Sequence, residues 1–319
     1  RLSGDIDFYS ATTIDLLVDR KLPEIIGFTS VATNLGQLNN KGFEISITGK
    51  IIQKNDFNWS SNLIFMVNRR KIVKLYGDMI DLKDANGNVV GQREADEITN
   101  SWFIGEDPDR YWNYERVGVW QLGEEDEAKK YGLAPGDFKY KDQNSDGSFT
   151  NDDKVLLGYK SPRFRWSWRN DFNYRRLTLS LFLYSNWGQR EQFNRAANNN
   201  SFPDRASDYV QPRWTADNPI NDYARTGSLN KGINYVERSF IRLDNISLSY
   251  SFPQSLLEKI QVQNASISAA VRNVAFRAPY WKFGDPESGG YRTKDSNDNE
   301  YSPGQPTPRT YNLSLNVTL

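Results

Sequence analysis

At the end of the chain Tyr311, Leu313, Leu315, Val317 and Leu319 alternate with Asn312, Ser314, Asn316 and Thr318. A period of two places the apolar residues on one face of an extended strand and the polar ones on the other. The pattern recurs upstream. Phe43, Ile45, Ile47 and Ile51 oppose Glu44, Ser46, Thr48 and Lys50. A tight turn at Lys54, Asn55 and Asp56 follows, and Phe57, Trp59, Leu63, Phe65 and Val67 line one face of the return, which predicts a hairpin. Phe164, Trp166, Trp168, Phe172 and Tyr174 oppose Arg165, Ser167, Arg169, Asp171 and Asn173. Past a turn at Arg175 and Arg176, Leu177, Leu179, Leu181 and Leu183 share a face. Between Leu243 and Ile246 the apolar phase shifts, which predicts a β-bulge.

Applied to the whole chain, this reading predicts about ten antiparallel strands. They fall near residues 6–18, 42–52, 57–68, 98–104, 112–120, 163–174, 177–187, 240–252, 265–276 and 309–319. Short helical turns are expected at 124–130 and around 256–260. The links after the second, fourth, sixth and eighth strands are short, and those after the first, third, fifth, seventh and ninth are long. Outer-membrane barrels alternate short periplasmic turns with long extracellular loops. The expected fold class is therefore all-β, an antiparallel transmembrane β-barrel segment whose C-terminus lies on the periplasmic side. Strands that are apolar on one side and polar on the other suit a wall between lipid and water.

Composition narrows the functions. The 319 residues carry 40 basic and 40 acidic side chains, so nothing marks a general electrostatic nucleic-acid binder. With no cysteine and no histidine, a Cys-His zinc site, thiol chemistry and imidazole bases are excluded. Mean hydropathy is −0.71 and no apolar run is long enough for a transmembrane helix, which leaves a barrel open because its strands are only half apolar. Aromatics make up 13% of residues and nine are Trp, as expected where rings sit at a bilayer interface. The chain opens on Arg1 and runs directly into strand-like sequence, as if cut from something longer.

The stretch from Asp142 to Asp153 fits a calcium-loop template. Asp142, Asn144 and Asp146 occupy positions 1, 3 and 5, Gly147 the sharp turn at 6, Ser148 the backbone-carbonyl position 7, and Asp153 position 12. Hard oxygen donors at this spacing converge on one cation, calcium in preference to magnesium, in a structural role. The usual Glu at position 12 is the shorter Asp here. No catalytic residue is expected. Asp107, Asp109, Glu124, Glu125 and Asp126 read as solvated loop carboxylates, with nothing apolar nearby to raise a pKa. The segment 83–88 is a glycine turn and no phosphate loop.

Five segments, in order, resemble the SusC/RagA-type TonB-dependent transporters. They are Asn34 to Glu44, with its Asn39-Asn40-Lys41-Gly42 core; Gly136 to Gly147 followed by Asn151 to Lys154 and Gly158; Arg213 to Pro219; Phe240 to Tyr250; and Pro308 to Tyr311. The resemblance implies that residues 1–319 are the C-terminal portion of such a barrel, with the plug domain, the TonB-contacting segment and the first strands lying outside it. It also implies a nutrient importer of the cell outer membrane in a Bacteroidota-like organism. Oligosaccharide or peptide would be taken up with TonB as the energy link, and a SusD-like surface lipoprotein would lid the outer face. Ten strands cannot close around a plug of the 22-strand type, so the remaining wall strands are implied partners too. The loops 23–41, 188–236 and 282–308 are where lipoprotein contacts are expected.

Two other readings stand beside this one. The first is a soluble β-sandwich that binds glycan through calcium, in which Phe43, Ile45, Ile47, Leu179, Leu181, Tyr311 and Leu313 would face a protein core instead of lipid. The second is a barrel of the same family serving as a structural part of a larger surface complex.

Overall fold

The structure is a computed structural model that describes residues 1–21, 30–192, 212–230, 235–282, 284–287 and 307–318. Sixteen strands occur among the described residues. The first five are β1 (Leu2–Lys21), β2 (Ser30–Gln53), β3 (Phe57–Lys74), β4 (Met79–Lys83) and β5 (Val89–Glu94). Then come β6 (Arg110–Tyr114), β7 (Arg116–Val119), helix α1 (Glu125–Lys130), β8 (Phe138–Tyr140), β9 (Lys154–Tyr159), β10 (Phe164–Tyr174) and β11 (Leu177–Trp187). The rest are β12 (Arg190–Gln192), β13 (Tyr235–Glu237), β14 (Phe240–Ser251), helix α2 (Gln254–Leu257), β15 (Asn264–Arg277) and β16 (Thr310–Thr318). The chain forms two compact units. Unit 1 holds residues 1–77, 162–189 and 238–319, and unit 2 holds 78–161 and 190–237.

Unit 1 is one antiparallel sheet of eight strands in the order β1-β2-β3-β10-β11-β14-β15-β16. Its registers align the apolar residues foreseen in separate strands into rows across the sheet. One row runs through Ile6, Ile45, Phe65 and Trp166. Another runs through Leu179, Leu248, Ala269 and Leu313. None of these side chains is buried, and those near the sheet edges are widely open to the surroundings: Ile6 is 61% exposed and Leu313 76%. In water each large apolar side chain left uncovered forgoes about 1.5–3 kcal/mol, so the face is built for hydrocarbon. A sandwich would bury this face under a second sheet, and here the apolar face of the eight-stranded sheet is left open. The sandwich reading fails on that observation.

The short links 54–56, 175–176 and 252–263 all lie at one end of the sheet. There Gln53 pairs with Asn58, Tyr174 with Leu177, and Ser251 with Ser266. Arg175 N–H donates to the Asp56 carbonyl at 2.8 Å, and Ser251 N–H to the Arg176 carbonyl at 3.0 Å, so neighbouring turns knit together. The long connections leave from the opposite end, where Phe164 pairs with Trp187.

The wall has eight strands where about ten were expected, and the missing pair lies in unit 2. Residues 98–104 form no strand. Ser101 takes a left-handed φ of 59°, the Glu97 carboxylate accepts the Thr99 N–H at 2.9 Å, and Glu97 and Trp102 make an isolated bridge. Local capping of this kind competes with a sheet ladder. The segment 112–120 divides into β6 and β7, which pair separately with β9 and β8 across register shifts. Because the two segments drop out together, the alternation of short and long links survives. The link expected at 23–41 is also shorter than read: residues 30–41 are strand, with Asn40 opposite Ala11 and Arg70. At 20, 24 and 18 residues, β1, β2 and β3 exceed the roughly 9–11 that cross a bilayer. The bulge foreseen between Leu243 and Ile246 is present at Asp244 in the pairing of β14 with β11, and a register shift at the same level marks the pairing with β15, where Asn273 and Val274 stand against the single Asp244.

Candidate functional site

The wall itself is the first element of the site. Among the polar residues on its apolar face, Asn170 and Ser61 are both satisfied. Trp59 Nε1 donates to Asn170 Oδ1 at 3.0 Å, and Trp168 Nε1 to Ser61 Oγ at 2.8 Å. In hydrocarbon an unpaired polar group costs several kcal/mol, so pairing each with an indole N–H makes this face compatible with lipid. The opposite face carries a polar ladder. Arg169 pairs with Asp171 at 3.0 Å, Ser180 Oγ donates to Asp171 at 2.5 Å, and Asn62 Nδ2 donates to Thr48 Oγ1 at 2.8 Å.

Unit 2 is made wholly of connections between wall strands. It has a core of its own in Val119, Phe138, Trp214 and Ala224, with Tyr140 and Ile220 against it. Beside the core lies Asp137, fully buried. Its carboxylate accepts from Arg225 Nε at 3.0 Å, from the Leu229 N–H at 3.0 Å and from the Ala134 N–H at 3.0 Å. Asn230 brackets Phe138, accepting its N–H at 3.0 Å and donating to its carbonyl at 2.8 Å. Gly136, at φ 89°, lets the chain turn under Trp214 and Arg225, which lie 2.6 and 2.7 Å from where a Cβ would stand. Sequence reading missed this cluster because its partners lie about 90 residues apart.

The acidic loop is folded on itself. Asp142 accepts the N–H groups of Ser145 at 2.6 Å and Gly147 at 2.9 Å, and the Tyr131 hydroxyl at 3.0 Å. Asn144 Oδ1 accepts the Asp146 N–H at 3.0 Å, and Asp146 Oδ1 accepts the N–H and hydroxyl of Ser148, both at 2.8 Å. Asp153 is fully buried and spans the loop, accepting from the Gln143 N–H at 2.8 Å and the Thr150 N–H at 2.8 Å. Gly147 supplies the turn at φ 81°. The Ser148 hydrogen bonds hold the Asp146 carboxyl below the usual range, and the Thr150 N–H does the same for Asp153. Among the described residues no three carboxylates stand gathered as a ready metal cluster. Phe149, in the same loop, stacks on Tyr131 at 4.5 Å and meets Tyr114 at 5.7 Å, which ties the loop to an aromatic cluster. Burial in that cluster pushes the Tyr140 hydroxyl up to about 12.

Asp107 is buried and caps the Asp109 N–H at 3.0 Å. Glu124 pairs with Lys139 at 2.6 Å, and that hydrogen bond lowers its pKa. These carboxylates therefore serve turns and ion pairs. Residues 193–211 and 231–234 of the loop 188–236, and most of 282–308, lie outside the described residues.

An eight-stranded antiparallel wall, with one face for lipid and one for water, defines a segment of a transmembrane β-barrel. No protein-family model matches the chain. It is 30% identical over 344 residues to the TonB-dependent receptor P26 of Formosa agariphila and 31% identical over 336 residues to receptor P3 of the same organism. These alignments cover 100% and 99% of this chain and 33% and 32% of the relatives. With the TonB-dependent receptor SusC of Bacteroides thetaiotaomicron the identity is 26%, over 79% of this chain and 24% of that protein. A solved structure of the RagAB peptide transporter superposes on 99% of this chain and 33% of its own, with a TM-score of 0.70 at 23% identity, a likeness of fold. The chain spans about a third of the length of the relatives it matches. Along essentially its whole length the chain is similar to TonB-dependent receptors, SusC among them, and its strands form part of an outer-membrane β-barrel wall.

Proposed function

We propose that the chain forms part of the wall and outer vestibule of a nutrient importer, as the C-terminal part of its barrel. The importer takes up oligosaccharide or peptide, draws its energy through TonB and works with a SusD-like surface lipoprotein. The observation that carries this reading is the match to TonB-dependent receptors along essentially the whole chain, on a wall with one lipid face and one polar face. Residues here bind, shape and contact, and none is catalytic. The test uses the complete receptor. Deleting residues 194–205, which lie outside the described residues, is expected to weaken lipoprotein retention or uptake while membrane insertion persists. If the complete receptor retains no surface lipoprotein and supports growth on no oligomeric nutrient, it serves instead as a structural part of a larger surface complex.

We also propose that calcium closes the loop 142–153 in a structural role. Its donors would be Asp142, Asn144, Asp146, the Ser148 carbonyl and Asp153. The set is oxygen only, and the turn at Gly147 has the backbone that such a loop requires. Each carboxylate oxygen that accepts one N–H keeps a second lone pair for a cation.

A further inference from the structure

Arg242 is a charged side chain set in the wall and is 1% exposed. Even and odd positions of a strand face opposite ways, so Arg242 should share the lipid face with Ile246 and Leu248. The extra residue Asp244 cancels that phase. On its far side Arg242 pairs with Tyr184 of the polar face, while Leu243 pairs with Leu183 of the apolar face. A bulge re-aims side chains in this way.

Turned inward, the guanidinium meets three acceptors. Nη1 donates to Asn273 Oδ1, Nη2 to Asp285 Oδ1, and Nε forms an ion pair with Glu287 Oε2. The Tyr184 hydroxyl donates to the same Glu287 oxygen, and Asp285 Oδ1 accepts the Glu287 N–H at 2.9 Å. Asp285 is buried and Pro286 fully so. Trp281 is buried as well, with the Arg238 guanidinium 5.7 Å from its ring centre. The far end of the same connection is tied to the same place: Asn273 Nδ2 donates to the Thr307 carbonyl, and Arg309 donates to the carbonyls of Asn273 and Val274. Asn273 adopts a left-handed φ of 53°, which aims its side chain at Arg242.

We propose that Arg242 is a positioning residue that fixes the start of the β15–β16 connection as an inward strap on the wall. Residues 281–282 and 284–287 are then a permanent part of the polar lining, held by Tyr184 of β11 and Arg242 of β14, with Asn273 of β15 bracing the guanidinium. They are not available to reach outward to a partner. Two hydrogen-bond acceptors and a carboxylate ion-paired at Nε lie in three directions, which suits the planar fork of arginine and which a lysine ammonium cannot reproduce. The proposal rests on the barrel wall alone and is independent of what the receptor transports.

The test is hydrogen exchange on the complete receptor in detergent, followed over peptides that span residues 281–287. In the wild type these amides should be protected like those of β14. Arg242→Gln and Arg242→Lys should each raise exchange there by about tenfold or more, with heat-modifiable gel migration unchanged. Arg169→Gln, which breaks a solitary pair on the same face, should leave the segment protected. A second measurement stands if the Arg242 variants fail to assemble. Tyr184→Cys combined with Glu287→Cys in the otherwise native receptor should be joined in intact membranes by a bifunctional thiol cross-linker, since side chains that meet tip to tip stand too far apart at their Cα atoms for a direct disulfide. Exchange at wild-type rates in both Arg242 variants, fast exchange in the wild type, or absence of that cross-link overturns the proposal.

Discussion

Asp153 and Gln143 are joined across the acidic loop by a 2.8 Å hydrogen bond from the backbone N–H to a carboxylate that has no solvent exposure. Thr150 closes the other side, its N–H reaching Asp153 at 2.8 Å while its hydroxyl accepts from Asp152 N–H at 3.3 Å. The carboxylate holds the loop only when ionised. Its pKa is lowered in the fold, chiefly by the Thr150 N–H. The stabilisation is therefore full above the unfolded carboxyl pKa of about 3.9 and lost as pH falls through the lower folded value. Acid titration followed by the fluorescence of the nearby tryptophans should show the loop loosening below about pH 4. Asp153→Asn should remove that step and leave the loop looser at neutral pH.

Calcium gives a separate readout on the same loop. If the ion binds, adding it to the complete receptor should protect residues 142–153 from protease, and a chelator should reverse this. Asp142→Ala with Asp146→Ala should abolish the response without altering barrel assembly. Oxygen distances of about 2.3–2.6 Å would identify calcium in an experimental structure. A loop that resists protease equally with and without the ion is a self-capped turn.

Unit 2 should fail locally when its core is opened. Phe138 is fully buried among Val119, Trp214 and Ala224, so Phe138→Ala should cost about 3–5 kcal/mol within that unit. Gly136→Val should act in the same direction, since its Cβ would meet Trp214 and Arg225 at under 3 Å. Both changes should lower the unfolding midpoint of the loop unit, followed by tryptophan fluorescence, and spare the heat-modifiable migration of the barrel.

How far these features were legible in the sequence follows from their range. Period-two alternation is local, and it located the wall strands and the bulge at Asp244. It misplaced residues 98–104 and 112–120 because short apolar stretches alternate in loop hairpins as they do in walls. Residues 30–41 looked like a link because Asn, Gly and Thr dominate them. Beyond the bilayer, strands gain nothing from apolar faces, and hydrogen-bond registry alone carries β2 onward. The clusters around Asp137 and Arg242 join residues 88 and 43 positions apart, so no local pattern announces them. Only the break in phase at Asp244 pointed to the second.

The two faces of β11 make the membrane placement testable. Leu183 lies on the apolar face near mid-strand, and Ser180 lies on the polar face beside Asp171. Leu183→Arg in the complete receptor should cost about 2–4 kcal/mol of barrel stability. Ser180→Arg should be tolerated because it gains a carboxylate neighbour. Urea unfolding in lipid vesicles measures both. Equal costs on the two faces would contradict a lipid-facing wall.

Deleting Asp244 probes the wall and the strap together. Ile246, Leu248 and Tyr250 are paired in register with Leu181, Leu179 and Leu177, while Ile241 and Leu243 are in phase with Ser185 and Leu183. Removing the extra residue joins the two blocks into one continuous register against β11, with Leu243 and Asn245 adjacent opposite Leu183 and Phe182, so Arg242 keeps the polar face. Against β15 the cost falls on Asn273 and Val274, which lose the residue opposite them, and Asn273 braces the Arg242 guanidinium. The receptor should therefore still assemble, with normal heat-modifiable product in outer-membrane fractions, while hydrogen exchange rises in the peptides that span 281–287. Asp244→Ala keeps the residue count and loses only the weak 3.7 Å pairing with exposed Arg272, so it should assemble normally. A deletion that fails to assemble where Asp244→Ala succeeds would show that Asp244 is more than an extra residue against β11.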